Sequence, residues 1–313
     1  MLSRRLIRIK TFKTLFAFES SGADNAAAAQ KSLLESCEKV KDLYYFMLNI
    51  SASLIRVAEE KIAAGMRKFH PTEEEARPNL KFVRNRFAAM LSDDPEFGRI
   101  CQKRGLLWGE YEPFVRHVYN SLITKEYYQN YMKSGEDSFA EDCRLFSCIF
   151  QDEFEDNEEL LSILEDLSSL WIDDLDYTLN VIIAAIDDVA RRKHLVHPST
   201  FLKEDDKEFA LRLLSESIAR YGEYSGLLSA HLDNWNADRL VSTDATLIVL
   251  GITEAVVFPT IPVKVTINEY VEISKYYSTP NSRVFVNGIL DRIIQEKVRE
   301  GEIVKQGRGL FEQ

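Results

Sequence analysis

SRVFVNGILDRII, residues 282–294, carries two conflicting periods. Apolar residues that alternate up to Asn287-Gly288 and resume after it form the pattern of a two-residue β-hairpin. Yet Phe285, Ile289, Leu290 and Ile293 follow one another at steps of four, one and three, the apolar stripe of a helix. The flanking residues favour the helix. STPN at 278–281 is a turn, and Asn281 or Ser282 is placed to cap a helix that starts there. Upstream, TINEYVEISKYY is helical in period, with Thr266 and Glu269 in capping-box spacing. Gly288 then lies inside a helix, at roughly 1 kcal/mol relative to Ala. A glycine there marks either a neighbouring helix or a ligand that comes close, and the sequence leaves both open.

The rest of the chain agrees with helix. Its 313 residues are 45% hydrophobic, ample for a core, with only 8 Pro and 13 Gly among long runs of Leu, Ile, Ala, Glu and Lys. An all-α fold is expected. No apolar run approaches the roughly 18 residues needed to cross a bilayer, so no membrane span is expected and the location should be cytoplasmic. Cys37, Cys101, Cys143 and Cys148 have no His beside them to complete a zinc set and read as buried, reduced thiols. His194 and His197 read as helix-end residues. No metal or other cofactor is expected.

Charge is unevenly spread over a net −11. Between Ser134 and Ala190 there are 17 Asp or Glu and a single Arg, Arg144; the first 18 residues hold Arg4, Arg5, Arg8, Lys10 and Lys13 and no acid. That basic stretch reads as a helix with Arg4 and Arg8 on one face and Leu2, Leu6, Ile9 and Phe16 on the other. Alone, it fits a solvated face or an Arg-rich transit peptide. SSGADN at 20–25 ends it, and one or two packed helices are expected from Ala26 to Met66. Further helices follow, interrupted at Asp93-Asp94-Pro95, Glu112-Pro113 and Ser134-Gly135-Glu136. HPSTFLKEDD at 197–206 is a connector, after which come another helical stretch, the motif WNADRL, a buried-looking helix ATLIVLGITEAVV and the breaker FPTIP.

The order RRLIRIKTFKTLFAF, WNADRL, DATLIVLGITE and INEYVEISKYYSTPNSRVFVNGILDRI resembles the NusB family of bacterial transcription antitermination factors, over residues 1–20 and 205–295. The resemblance implies a helical bundle in two subdomains, here with residues 21–200 as a helical, acidic insertion between a 1–20 helix and a 201–313 domain. It implies no enzymatic activity. It further implies a pair with the small ribosomal protein NusE that binds single-stranded boxA RNA and helps RNA polymerase pass terminators in ribosomal RNA operons. Carried onto this chain, the RNA contacts are Arg4, Arg5 and Arg8 of the first helix and Asn281, Ser282 and Phe285 near the Asn-Gly pair. Lys10 and Lys13 join them on charge alone. Phe16 and Glu254 fall on the NusE side, although Val249 and Thr253 stand where family members often have Arg and Tyr. Residues 1–13 are expected to be removable without loss of fold.

The chemistry suits that reading, since an Arg fork pairs with phosphate and an aromatic ring stacks on an unpaired base. Rival functions fit less well. WIDDLDYTLN and IDDVA hold acid clusters, but Asp173, Asp174 and Asp176 do not give the magnesium-diphosphate pattern of two acids one helical turn apart followed by a matching second cluster, and no Gly-rich phosphate loop or nucleophile elbow is present. A helical protein-interaction scaffold without RNA binding is the alternative. The front end of a ribosomal RNA methyltransferase is not expected, and in the resemblance the basic first helix belongs to the folded domain instead of a transit peptide.

Overall fold

The computed structural model describes residues 2–231 and 241–310, and among these it contains 14 α-helices and no strand. The WNADRL motif, residues 235–240, lies outside the described residues. Two compact units form, Met1–Cys37 with Leu202–Gln313, and Glu38–Phe201. Helix α1 (Arg4–Ser21) starts at Ser3, whose hydroxyl accepts from Leu6 N at 3.1 Å, and stops at Gly22 in the left-handed region. Only glycine enters that region without steric cost.

Helix α2 (Ala26–Met66) is a single helix with the bounds that periodicity gives, and it passes from one unit to the other at Cys37. Leu43 to Leu48 are buried in unbroken succession, so the helix is enclosed on every side there. The Glu38–Phe201 unit continues with α3 (Glu73–Ala76), α4 (Arg86–Ser92), α5 (Pro95–Arg104), α6 (Glu112–Leu122), α7 (Glu126–Lys133), α8 (Phe139–Asp152), α9 (Glu158–Leu167) and α10 (Leu175–Arg192). Helices α4, α7 and α10 pack on α8 around Phe82, Phe87 and Phe146. Asp94 caps α5 through Glu96 N and Phe97 N, with Pro95 at the first position. His197 is not a helix-end residue. Helix α10 closes at Lys193, and the His197 ring instead joins Asp94 Oδ2 at 2.8 Å and the Tyr45 hydroxyl at 3.0 Å.

The other unit is completed by α11 (Glu204–His231), α12 (Ser242–Val257), α13 (Val263–Tyr277) and α14 (Ser282–Arg299). Helix α12 is its centre, buried without interruption from Leu247 to Ala255, with α1, α11, α13 and α14 packed around it. Residues 282–294 are helical, and Val286, Ile289, Leu290, Ile293 and Ile294 form the buried stripe, leaving Phe285 at its half-exposed margin. The close approach is made by another glycine. A Cβ on Gly251 would lie 2.7 Å from Leu290 Cδ2, whereas one on Gly288 would meet nothing.

Two expected caps are absent. Asn281 precedes α14 but makes no side-chain cap bond, and Ser282 Oγ donates instead to Asp244 Oδ2 at 2.7 Å. Helix α13 begins at Val263, so Thr266 and Glu269 lie within it and bond to Glu254 and Arg5 rather than to each other's backbone. Nor is α1 dispensable: Leu2, Leu6, Ile7, Phe12 and Leu15 are core residues, and truncation would uncover α11 and α12. Among the described residues, no helix is long and apolar enough to cross a membrane.

Candidate nucleic-acid interface

The cations of α1 acquire acid partners from distant sequence. Arg4 Nε lies 2.7 Å from Asp206 Oδ1, and its guanidinium stands 4.3 Å above the Phe209 ring. Arg5 forms a two-point pair with Glu269, at 2.9 and 2.8 Å, on the surface. Arg8 does the same with Glu254, at 2.7 and 2.8 Å, but here the pair is interior, Arg8 being 4% exposed and Glu254 0%.

Glu254 also accepts from the Thr266 and Tyr270 hydroxyls at 2.9 and 3.1 Å, so each of its oxygens accepts two hydrogen bonds. Burial pulls the Arg8 guanidinium down, and the Glu254 charge and hydrogen bonds more than offset it, leaving Arg8 above its ordinary value. Burial and the same carboxylate push the Tyr270 hydroxyl well up, so it remains a donor. A direct contact from Arg8 to RNA, or from Glu254 to a partner, would require this pair to open. Lys10 is buried as well.

Lys13 is exposed, with its ammonium 5.9 Å from the Tyr277 ring centre. Phe12 links that ring, at 5.4 Å, to Phe16, at 6.1 Å; Phe16 is half-buried. The turn between α13 and α14 is held by hydroxyls. Ser282 Oγ lies within 2.9 Å of the Ser278 and Thr279 hydroxyls, and Ser278 reaches Thr243 at 3.1 Å. Ser282 is thus a buried pin, while Asn281 is carried outward and Phe285 is half-exposed.

Around that turn lie exposed residues that the sequence reading passed over: Tyr276 at 81% exposure, Arg283, Val284 and Asn287, beside the bare backbone at Gly288. Glu272 ties this surface to α1. Its carboxyl is held below the usual range, chiefly by Lys275 and further by Arg5 and Arg283. A sign of Tyr276 was present in the sequence, because at helical spacing it sits nearly opposite the buried stripe Ile267, Tyr270, Ser274. The exposed groups here are an aromatic ring, an ammonium, guanidinium groups and amides, the kinds of group that bind unpaired bases and phosphate.

The profile of the NusB family matches residues 182–295, which include α11 to α13 and most of α14 and leave α1 outside. The chain is 38% identical over 105 residues to the transcription antitermination protein NusB of Salinibacter ruber, covering 34% of this chain and 66% of that protein. The corresponding protein of Chloroherpeton thalassium is 37% identical over 34% of this chain and 50% of its own length. That of Methylacidiphilum infernorum is 38% identical over 32% of this chain and 69% of its own. The matched stretch therefore spans half to about two thirds of these relatives' lengths. No solved structure matches the chain.

Proposed function

The chain belongs to the NusB family of non-enzymatic transcription factors, and from that premise we propose that it acts in transcription antitermination by binding boxA-type single-stranded RNA together with NusE. The observation that carries this reading is the aromatic and cationic face at the α13–α14 turn, on helices within the family match. Tyr276 and Phe285 stack on bases, Lys13, Arg5 and Arg283 meet phosphates, and Asn281 and Asn287 bond to base edges. Gly288, with nothing over it, lets the strand approach the backbone.

Arg4, Arg8, Lys10 and Ser282 serve the RNA site at one remove by fixing α1 and the turn. Phe16 meets NusE, and Glu254 supports that surface from inside by holding Arg8. The pair then joins the antitermination complex of RNA polymerase and promotes ribosomal RNA transcription. Titration of boxA RNA against the full chain, alone and with NusE, tests this. Tyr276→Ala should weaken RNA binding in both settings by about 1–3 kcal/mol, and Phe16→Ala only the NusE-dependent part. Absence of RNA binding in both settings would refute the reading.

A further inference from the structure

We infer that the Glu38–Phe201 unit carries a docking surface for a lysine- or arginine-rich amphipathic segment of a partner protein. Its base is Phe46, whose ring stacks with Trp108 at 4.1 Å and Trp171 at 5.6 Å. Both indoles are fixed by inward bonds, Trp108 Nε1 donating to Phe46 O at 2.7 Å and Trp171 Nε1 to Lys39 O at 2.9 Å. Their neighbours face solvent: Leu107 is 49% exposed, Leu170 37% and Ile172 36%, with Leu167 at the end of α9 at 39%. A lone exposed leucine needs no explanation, but four exposed aliphatics on the two segments that carry this buried aromatic stack do.

Tyr111 shows that α9 and the Trp108 segment border the same surface. Its ring lies 6.3 Å from Trp108, and its hydroxyl is raised first by burial and then by Glu110 and Asp166, the residue before Leu167. The rim is acidic. From Asp152 to Asp188 the chain has 13 Asp or Glu and no Lys or Arg. Of the cations near these segments, Lys39 and Arg104 are both paired with Asp42.

An apolar centre inside a negative field accepts a segment with leucine-like anchors at helical spacing and cations beside them. The same charge repels RNA, and a second copy of the chain would bring acid rim against acid rim. The probe is a leucine–lysine peptide of about 14 residues with leucines at i, i+3, i+4 and i+7, compared with a scrambled peptide of equal composition, each titrated against the full chain. The patterned peptide should bind at least about tenfold more tightly than the scrambled one, and Leu170→Asp and Asp166→Lys should each weaken it by about that factor. Equal binding of the two peptides, binding unchanged in both variants, or self-association of the chain that Leu170→Asp abolishes would each overturn the proposal.

Discussion

Arg8 belongs to a stretch with five cations and no acid, yet in the fold it is enclosed against Glu254, 246 residues away. Arg8→Met would strand a buried carboxylate, and the expected loss is about 3–5 kcal/mol of unfolding free energy by urea titration. Arg5→Met removes a partner from Glu269 at the surface and should cost under about 1 kcal/mol. Equal losses would mean that the two pairs share one environment. The contrast also marks what sequence could not give. Patterning shows which residues lie on one face of a helix, but the partners of Arg4, Arg5 and Arg8 come from α11, α13 and α12. Nothing local in the sequence separates a cation bound for phosphate from one bound for a buried carboxylate.

Along α14 the helical period wins over the hairpin signal because five aliphatics between Val286 and Ile294 face α12 and α13, burial that a two-stranded ribbon would forgo. The helix was legible for that reason, and so were the breaks at Gly22 and Pro95, where backbone chemistry acts locally. The two glycines should now respond oppositely. Gly251→Ala forces a methyl against Leu290 and should destabilise by about 1–3 kcal/mol. Gly288→Ala, in open space within a helix, should stabilise by about 0.5–1 kcal/mol while weakening RNA binding, as thermal melts and titration would show.

The segment after α14 contributes through Lys305, which donates to Ala255 O at 2.7 Å and Phe258 O at 3.1 Å and so closes the end of α12. Burial pulls its ammonium down to about 8, against a smaller upward pull from Glu254. Between about pH 8 and the unfolded value near 10.4 the unfolded chain holds the proton and the folded one releases it. Stability should therefore rise with pH across that window relative to Lys305→Met, and a parallel pH profile for the two proteins would contradict it.

Over the whole molecule the charge divides with the two units. Residues 38–201 hold 30 of the 50 acids and 20 of the 39 bases, close to the entire net −11, while the other unit is nearly neutral. In the function proposed above, an acidic body would confine nucleic acid to the cationic and aromatic face at Lys13, Tyr276 and Arg283. The most direct test is titration of boxA-type single-stranded RNA against the full chain at several salt concentrations, for the unmodified protein and for Tyr276→Ala with Lys13→Glu. The unmodified protein should lose affinity with salt at a slope of about −0.7 per phosphate contact, and the double variant should remain folded, bind at least about tenfold more weakly, and show a shallower slope. Unchanged affinity and slope in the folded double variant would place the RNA elsewhere and contradict the site described.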